Sequence, residues 1–487
     1  MKRLFILIVS LLILSLNSNA QSNLISSYKL NGKVLTENNN PIAYVNIILL
    51  ENGKGSISNQ NGDYAIDISS IDDTNTIRFQ CIGYNTIEYK FERLKRNPKV
   101  LLSENVYKLD EILVLGSTPD VRKIVKSILN NKKKNYNNAT KKQKVFYRER
   151  SSGKILNLKL NSKKNDISEI TPEILKIVEN KIPKHTQSYA DLLSNLYNKK
   201  SEFKFEPIMA VKLEGEKIEE LKSFNRILKN LIKDTEEKEY WQIKTGLLKY
   251  KIPSSENDSS DTESMKRYYK RKIKSDIDFV TFKDKKRWDF LYKIDKYNFE
   301  IIGGTKVNDE SVYIIEFTPK EEGLFEGKLY VSIETSALIR ADYKYAIDKT
   351  GLNIQIFGFG MTQTDFVGSI YFEKNKDTYN LKYFSFQNDS KFNVNRKISL
   401  QKKKKQVFFN KKINEIKLDV DLTIERQESI ELLVIDKAYI SDIQFDQFVE
   451  KNDINITYVD QFDNTLWKNH ITIEPTQNMR KYKKSYY

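Results

Sequence analysis

The sequence predicts a mainly β protein with helices. An N-terminal β-sandwich comes first, followed by an α+β region built on a large antiparallel sheet. Three observations carry this reading. Residues 31–116 hold short apolar alternations broken by turn residues every ~8–12 positions, the spacing of a sandwich. Apolar residues at helical spacing recur between 118 and 237. From about Ile277 to His470 apolar and polar residues alternate again, with short connections, as in an antiparallel meander.

The chain begins with a targeting segment. Lys2 and Arg3 form a basic start, Leu4–Leu16 is an apolar run, and Ser18-Asn19-Ala20 is a small-residue cleavage site. This predicts removal of residues 1–20 between Ala20 and Gln21 and export of the remainder. The apolar run is shorter than a comfortable ~20-residue span. No cysteine follows it, so lipidation at the new N-terminus is not expected, and no later stretch reads as a transmembrane helix.

Within the sandwich, assigned to 28–116, Tyr44, Asn46 and Ile48 alternate with Val45, Ile47 and Leu49. Pro41 stands at the start of that strand, where a missing N–H breaks no ladder. Asn59–Asp63 is a turn in which Gly62 supplies the left-handed backbone. Tyr64, Ile66 and Ile68 alternate next, Thr76–Cys81 is a further strand, and Val100–Leu102 and Glu111–Leu115 close the unit. The residues Gly32-Lys-Val, Pro41-Ile-Ala-Tyr-Val-Asn-Ile, Gly55–Tyr64, Ile82-Gly83-Tyr84 and Leu109-Asp110-Glu111-Ile-Leu-Val together resemble the carboxypeptidase-D regulatory-like domain of Bacteroidetes-type envelope proteins. The resemblance implies a transthyretin-like seven-stranded sandwich that serves in folding, docking or interaction and is not itself catalytic.

A connecting helix follows, within 117–135. Thr118 is placed to cap it, Pro119 suits its first turn, and Val121, Ile124, Val125, Ile128 and Leu129 share one face. Residues 140–263 read as mixed and mostly helical. Lys144–Glu149 is a strand, Thr171-Pro172-Glu173 starts a helix, 187–198 forms a short helix through Tyr189, Leu192, Leu193 and Leu196, and Ile218–Ile232 a longer one. Residues 264–487 form the β-rich domain. Its expected strands are Val312–Phe317, Gly327–Glu334, Ala337–Ala346, Phe366–Phe372, Tyr379–Gln387 and Gln406–Asn410, with the cleanest alternation at Ile416, Leu418, Val420, Leu422 and Ile424. The series from about 312 to 346 is similar to the strands of lipoprotein-sorting carriers. That resemblance implies a curved, open sheet whose apolar face takes an acyl chain or a peptide.

Composition excludes several chemistries. Of 487 residues only two are histidines, His185 and His470, and neither stands in a short zinc-ligand pair. There is no nucleophile elbow and no glycine-rich phosphate loop; Gly358-Phe-Gly360 lies in a β region. No catalytic residue, metal ligand or cofactor site is predicted. Cys81, the one cysteine, rules out an internal disulfide and reads as a buried structural thiol.

The net charge of +17 suits anionic lipid or lipopolysaccharide, and lysines cluster at 132–134 with 141–142 and at Lys402, Lys403, Lys404 and Lys405. The second cluster is the candidate anion patch. Nucleic acid is not expected as a partner, because the chain reads as exported and carries no recognition motif. The functional reading is a non-enzymatic exported envelope protein, in the periplasm or at the outer-membrane periphery, that contacts an envelope protein partner. The alternatives are a carrier of lipid or lipidated peptide and a glycan-acting or glycan-binding protein.

Overall fold

The fold is that of a computed structural model. It describes residues 28–482 apart from 54, 69–72, 108–118, 137–138, 214–225, 233–234, 253–260, 308–309, 408, 452 and 469. Ala20, Gln21, Thr118 and the expected strand Glu111–Leu115 lie outside the described residues.

The described residues of the N-terminal unit form seven strands in two sheets: β1 (Tyr28–Thr36), β2 (Asn46–Leu49), β3 (Gly55–Ile57), β4 (Asp63–Ile68), β5 (Thr76–Gln80), β6 (Ile87–Lys90) and β7 (Lys99–Leu102). One sheet has the order β4-β1-β7 and the other β3-β2-β5-β6. Only the β1–β7 pair is parallel. Val34, Ile47, Ile68, Ile77, Phe79 and Val100 fill the space between the sheets. Gly62 takes φ +73, and a Cβ there would stand 2.4 Å from the Val34 carbonyl oxygen, so the turn requires glycine.

A second, larger sheet holds β8 (Lys141–Asn165), β9 (His185–Lys199), β10 (Glu202–Leu213), β11 (Glu239–Thr245), β12 (Leu248–Lys251), β13 (Tyr297–Val307) and β14 (Glu310–Pro319). It continues with β15 (Phe325–Ser332), β16 (Leu338–Tyr345), β17 (Asn353–Ile356), β18 (Phe359–Asn375), β19 (Thr378–Lys404), β20 (Lys411–Tyr439) and β21 (Ile456–Val459). The main order is β13-β14-β15-β16-β18-β19-β20-β8-β9-β10-β21, with β11–β12 and β17 on the β19 and β18 edges. Among the described residues all pairs of this sheet are antiparallel except β10–β21.

The expectation of a mostly helical 140–263 is corrected by this arrangement. Residues 187–198 form β9, paired with β8 on one side and β10 on the other. Residues 189–194 of this strand are all buried, Asp191 through its pair with Arg148, so the stretch lacks the in–out alternation of a half-buried strand and its apolar spacing fits a helix equally well. Lys144–Glu149 is a fragment of the much longer β8. Pro172–Lys181 is helical as expected, with the Thr171 side chain accepting from the Ile174 N–H. Of the helix expected over 218–232, 226–232 is helical and 218–225 lies outside the described residues. Of the expected strand Gln406–Asn410, the described residues form no strand and lie between β19 and β20.

The connecting helix runs Val121–Asn130 and is capped by Asp120, whose carboxylate accepts from the Lys123 N–H. Pro119 therefore precedes the cap. A further short helical turn, Lys132–Asn135, follows.

Alternation along β8 separates the two faces of the large sheet. Tyr147 donates to Asp276 of the Asp261–Val280 helix (3.0 Å), so Val145 and Tyr147 face that helix. Phe146 and Arg148 face the other way, against Trp467 and the Ile473 carbonyl. The long helix packs through Tyr269, Ile273 and Val280. The sandwich sits on the opposite face. There Tyr44 stacks on Tyr383 (4.9 Å) and receives a hydrogen bond from Ser385 (3.0 Å). Ser56 and Asn59 donate to the Thr472, Glu474 and Pro475 carbonyls.

Candidate functional site

A cavity of about 540 Å³ lies between the long helix and the large sheet. That volume is within the ~300–1,000 Å³ range of small-molecule sites. Its walls come from six strands and three helical segments. Val145 of β8, Leu196 of β9, Phe372 of β18, Leu381 of β19, and Leu432 and Val434 of β20 give it an apolar floor. Ile277 and Phe282, at and just beyond the end of the long helix, close the top. Antiparallel register explains why these residues meet. Val145 pairs with Val434, and Leu381 with Phe372, so their side chains share one face.

Lysines surround this floor. Lys132, Lys133, Lys141, Lys200, Lys274, Lys283 and Lys285 line the cavity, with Glu202 and Asp278 as the carboxylates. Asp278 already binds Lys274 (2.7 Å) and Lys283 (2.5 Å). Lys132 and Lys285 lie over the Tyr292 ring at 5.9 and 5.7 Å. Lys141 is the deepest cation. Its Nζ is 3.4 Å from the Asn380 Oδ1. Burial, with a smaller contribution from Lys437, pulls its pKa down to about 8. An ammonium at an apolar wall has lost hydration, and an anionic group placed beside it adds a charge-assisted bond. The arrangement suits a ligand with an apolar body and a negative head.

The lysines expected as an anion patch lie elsewhere. Lys402 pairs with Glu239 (3.0 Å) and Lys404 with Glu236 (2.9 Å) at the far end of β19. The other basic cluster is the one that reaches the cavity, through Lys132, Lys133 and Lys141. Lys200, Lys274, Lys283 and Lys285 come from distant parts of the chain, and no local pattern marks them. His185 is exposed at the start of β9, and His470 lies near Trp467, its pKa lowered by burial and then by Lys144. Cys81 is buried, its thiol pKa raised by that burial, with Arg340 Nη1 at 3.7 Å from the sulfur. Among the described residues, no group of three or more His, Cys, Asp or Glu side chains is placed to hold a metal ion.

With this geometry in hand, the class is a mainly β protein led by a regulatory-type sandwich. Residues 30–114 match the family model of the CarboxypepD_reg-like domain, a regulatory and non-catalytic domain type typical of extracellular and periplasmic proteins. No curated protein matches the chain. Two solved structures are similar over much of their length. The MucA/MucB complex of Pseudomonas aeruginosa is 8% identical, with 64% of this chain and 93% of that chain covered and a TM-score of 0.19. MucB in complex with MucA(peri) is 6% identical, with 62% and 94% covered and a TM-score of 0.15. Scores this low carry no argument. Among the described residues no helix is long and apolar enough to cross a membrane.

Proposed function

We propose that the chain is an exported, non-enzymatic envelope protein that holds an amphiphile: an acyl chain, free or on a lipidated peptide, with an anionic head. The observation that carries this reading is the 540 Å³ cavity, whose apolar floor lies beside the largely buried ammonium of Lys141. Apolar walls favour the tail through burial, at ~25 cal/mol per Å², and the lysines select the head. The sandwich occupies the opposite face of the sheet and leaves the cavity clear for its ligand. Export rests on the leader-like residues 1–20, and location in the periplasm or at the outer-membrane periphery on the domain type.

Equilibrium titration with a dansyl-labelled fatty acid tests the proposal. Saturable binding at one probe per chain, weakened by Leu381→Trp in the cavity wall, is the expected result. Absence of saturable binding, or binding indifferent to Leu381→Trp, refutes it.

A further inference from the structure

The two longest strands among the described residues, β19 and β20, pair from Tyr383–Leu433 to Lys404–Lys411, and the described residues of their connection, 405–407 and 409–410, stand at the end of that ribbon. The sequence there is Lys402-Lys-Lys-Lys405-Gln-Val-Phe-Phe-Asn-Lys411-Lys412. Val407 is 91% exposed and Phe409 69% exposed. Large apolar side chains held in water at a turn contribute nothing to the core. Polar turn residues would serve the hairpin as well.

The charge around the tip is mixed, with lysines in excess. Lys402 and Lys404 are occupied by Glu239 and Glu236, and Lys412 by Glu415. Lys403, Lys405 and Lys411 have no carboxylate partner among the described residues. Apolar groups at the tip with ammonium groups just behind them match an interfacial anchor, in which the apolar residues enter the headgroup–acyl boundary and lysines meet the phosphates.

We infer that the β19–β20 tip is a membrane-docking site whose partner is a bilayer surface bearing anionic phospholipid. The charge complementarity selects a negatively charged surface. The small size of the apolar tip suits insertion between headgroups better than a protein interface, which needs roughly 1,000 Å² or more. The docking site is separate from the cavity and does not rest on the carrier reading.

The test is co-sedimentation of the full chain with phosphatidylcholine vesicles with and without phosphatidylglycerol. The chain is expected to sediment with the anionic vesicles, and added salt should weaken this. Val407→Ser with Phe409→Ser should lower partitioning about tenfold or more. Lys403→Glu with Lys405→Glu should abolish the preference for phosphatidylglycerol, each lost lysine being worth about fivefold. All four positions lie outside the hydrophobic cores, so an unchanged thermal melt verifies folding. Lys141→Met, in the cavity, should leave vesicle binding unchanged. A chain that stays in the supernatant with both vesicles, or serine variants that sediment as the unaltered chain does, overturns the inference.

Discussion

Lys141 offers the sharpest prediction. Its pKa lies near 8 because burial disfavours the ammonium. A bound anionic head would restore the charged form, so the probe binds the protonated cavity. Protonation falls from about 90% at pH 7 to about 10% at pH 9, which predicts a roughly ninefold loss of affinity, or ~1.3 kcal/mol. The assay is the dansyl fatty-acid titration at several pH values and fixed ionic strength. Lys141→Met should bind about 10-fold or more weakly at pH 7, from loss of a charge-assisted bond worth ~1.5–3 kcal/mol, and its affinity should no longer change between pH 7 and 9. Lys141→Arg should keep binding at pH 9. The same pH dependence in Lys141→Met would refute the assignment of the head to this ammonium.

Other predictions follow from the same contacts. In the empty protein the folded state releases the Lys141 proton near pH 8 while the unfolded chain keeps it to about 10.4. Denaturant titrations should therefore show Lys141 penalising stability below pH 8 and the penalty easing as pH rises towards 10, a trend absent in Lys141→Met. Arg148 and Asp191, 2% and 0% exposed, form a two-pronged pair at 2.8 and 2.6 Å. Arg148→Met strands the carboxylate and should cost about 3–5 kcal/mol in denaturant unfolding, much of it recovered by adding Asp191→Asn. The same variant frees the Ile473 carbonyl, in the segment whose neighbours accept from Ser56 and Asn59, so hydrogen exchange should rise in 472–475. Cys81 should react with thiol reagents only at the rate of local opening, because burial raises its thiol pKa; prompt labelling of the native chain would contradict this.

The sandwich was legible because each of its marks is local. Gly62, Pro41 and the alternations of β2, β4 and β5 are read within a few residues of one another. The strands β14, β15 and β16 were legible for the same reason. The long strands were not. Tyr379–Gln387 and Lys144–Glu149 are fragments of 27- and 25-residue strands, and typical strands of ~5–6 residues set the wrong expectation. Past the core these strands carry lysine and asparagine on one face, which reads as loop. The run Gln406–Asn410 has β-forming residues, yet its described residues form no strand, and Val407 and Phe409 are exposed. The cavity was legible only in part. Lys132, Lys133 and Lys141 belong to a cluster visible in the sequence, but Lys274, Lys283 and the floor residues Leu196, Phe372 and Leu432 meet only through sheet pairing across hundreds of positions.

Native mass spectrometry of the chain isolated gently from its own envelope is the most direct test of the carrier claim. The expected spectrum shows a population carrying one amphiphile with an anionic head, depleted in Leu381→Trp and at high pH. A spectrum of ligand-free chain alone, the same for the unaltered protein and Leu381→Trp, would contradict the account.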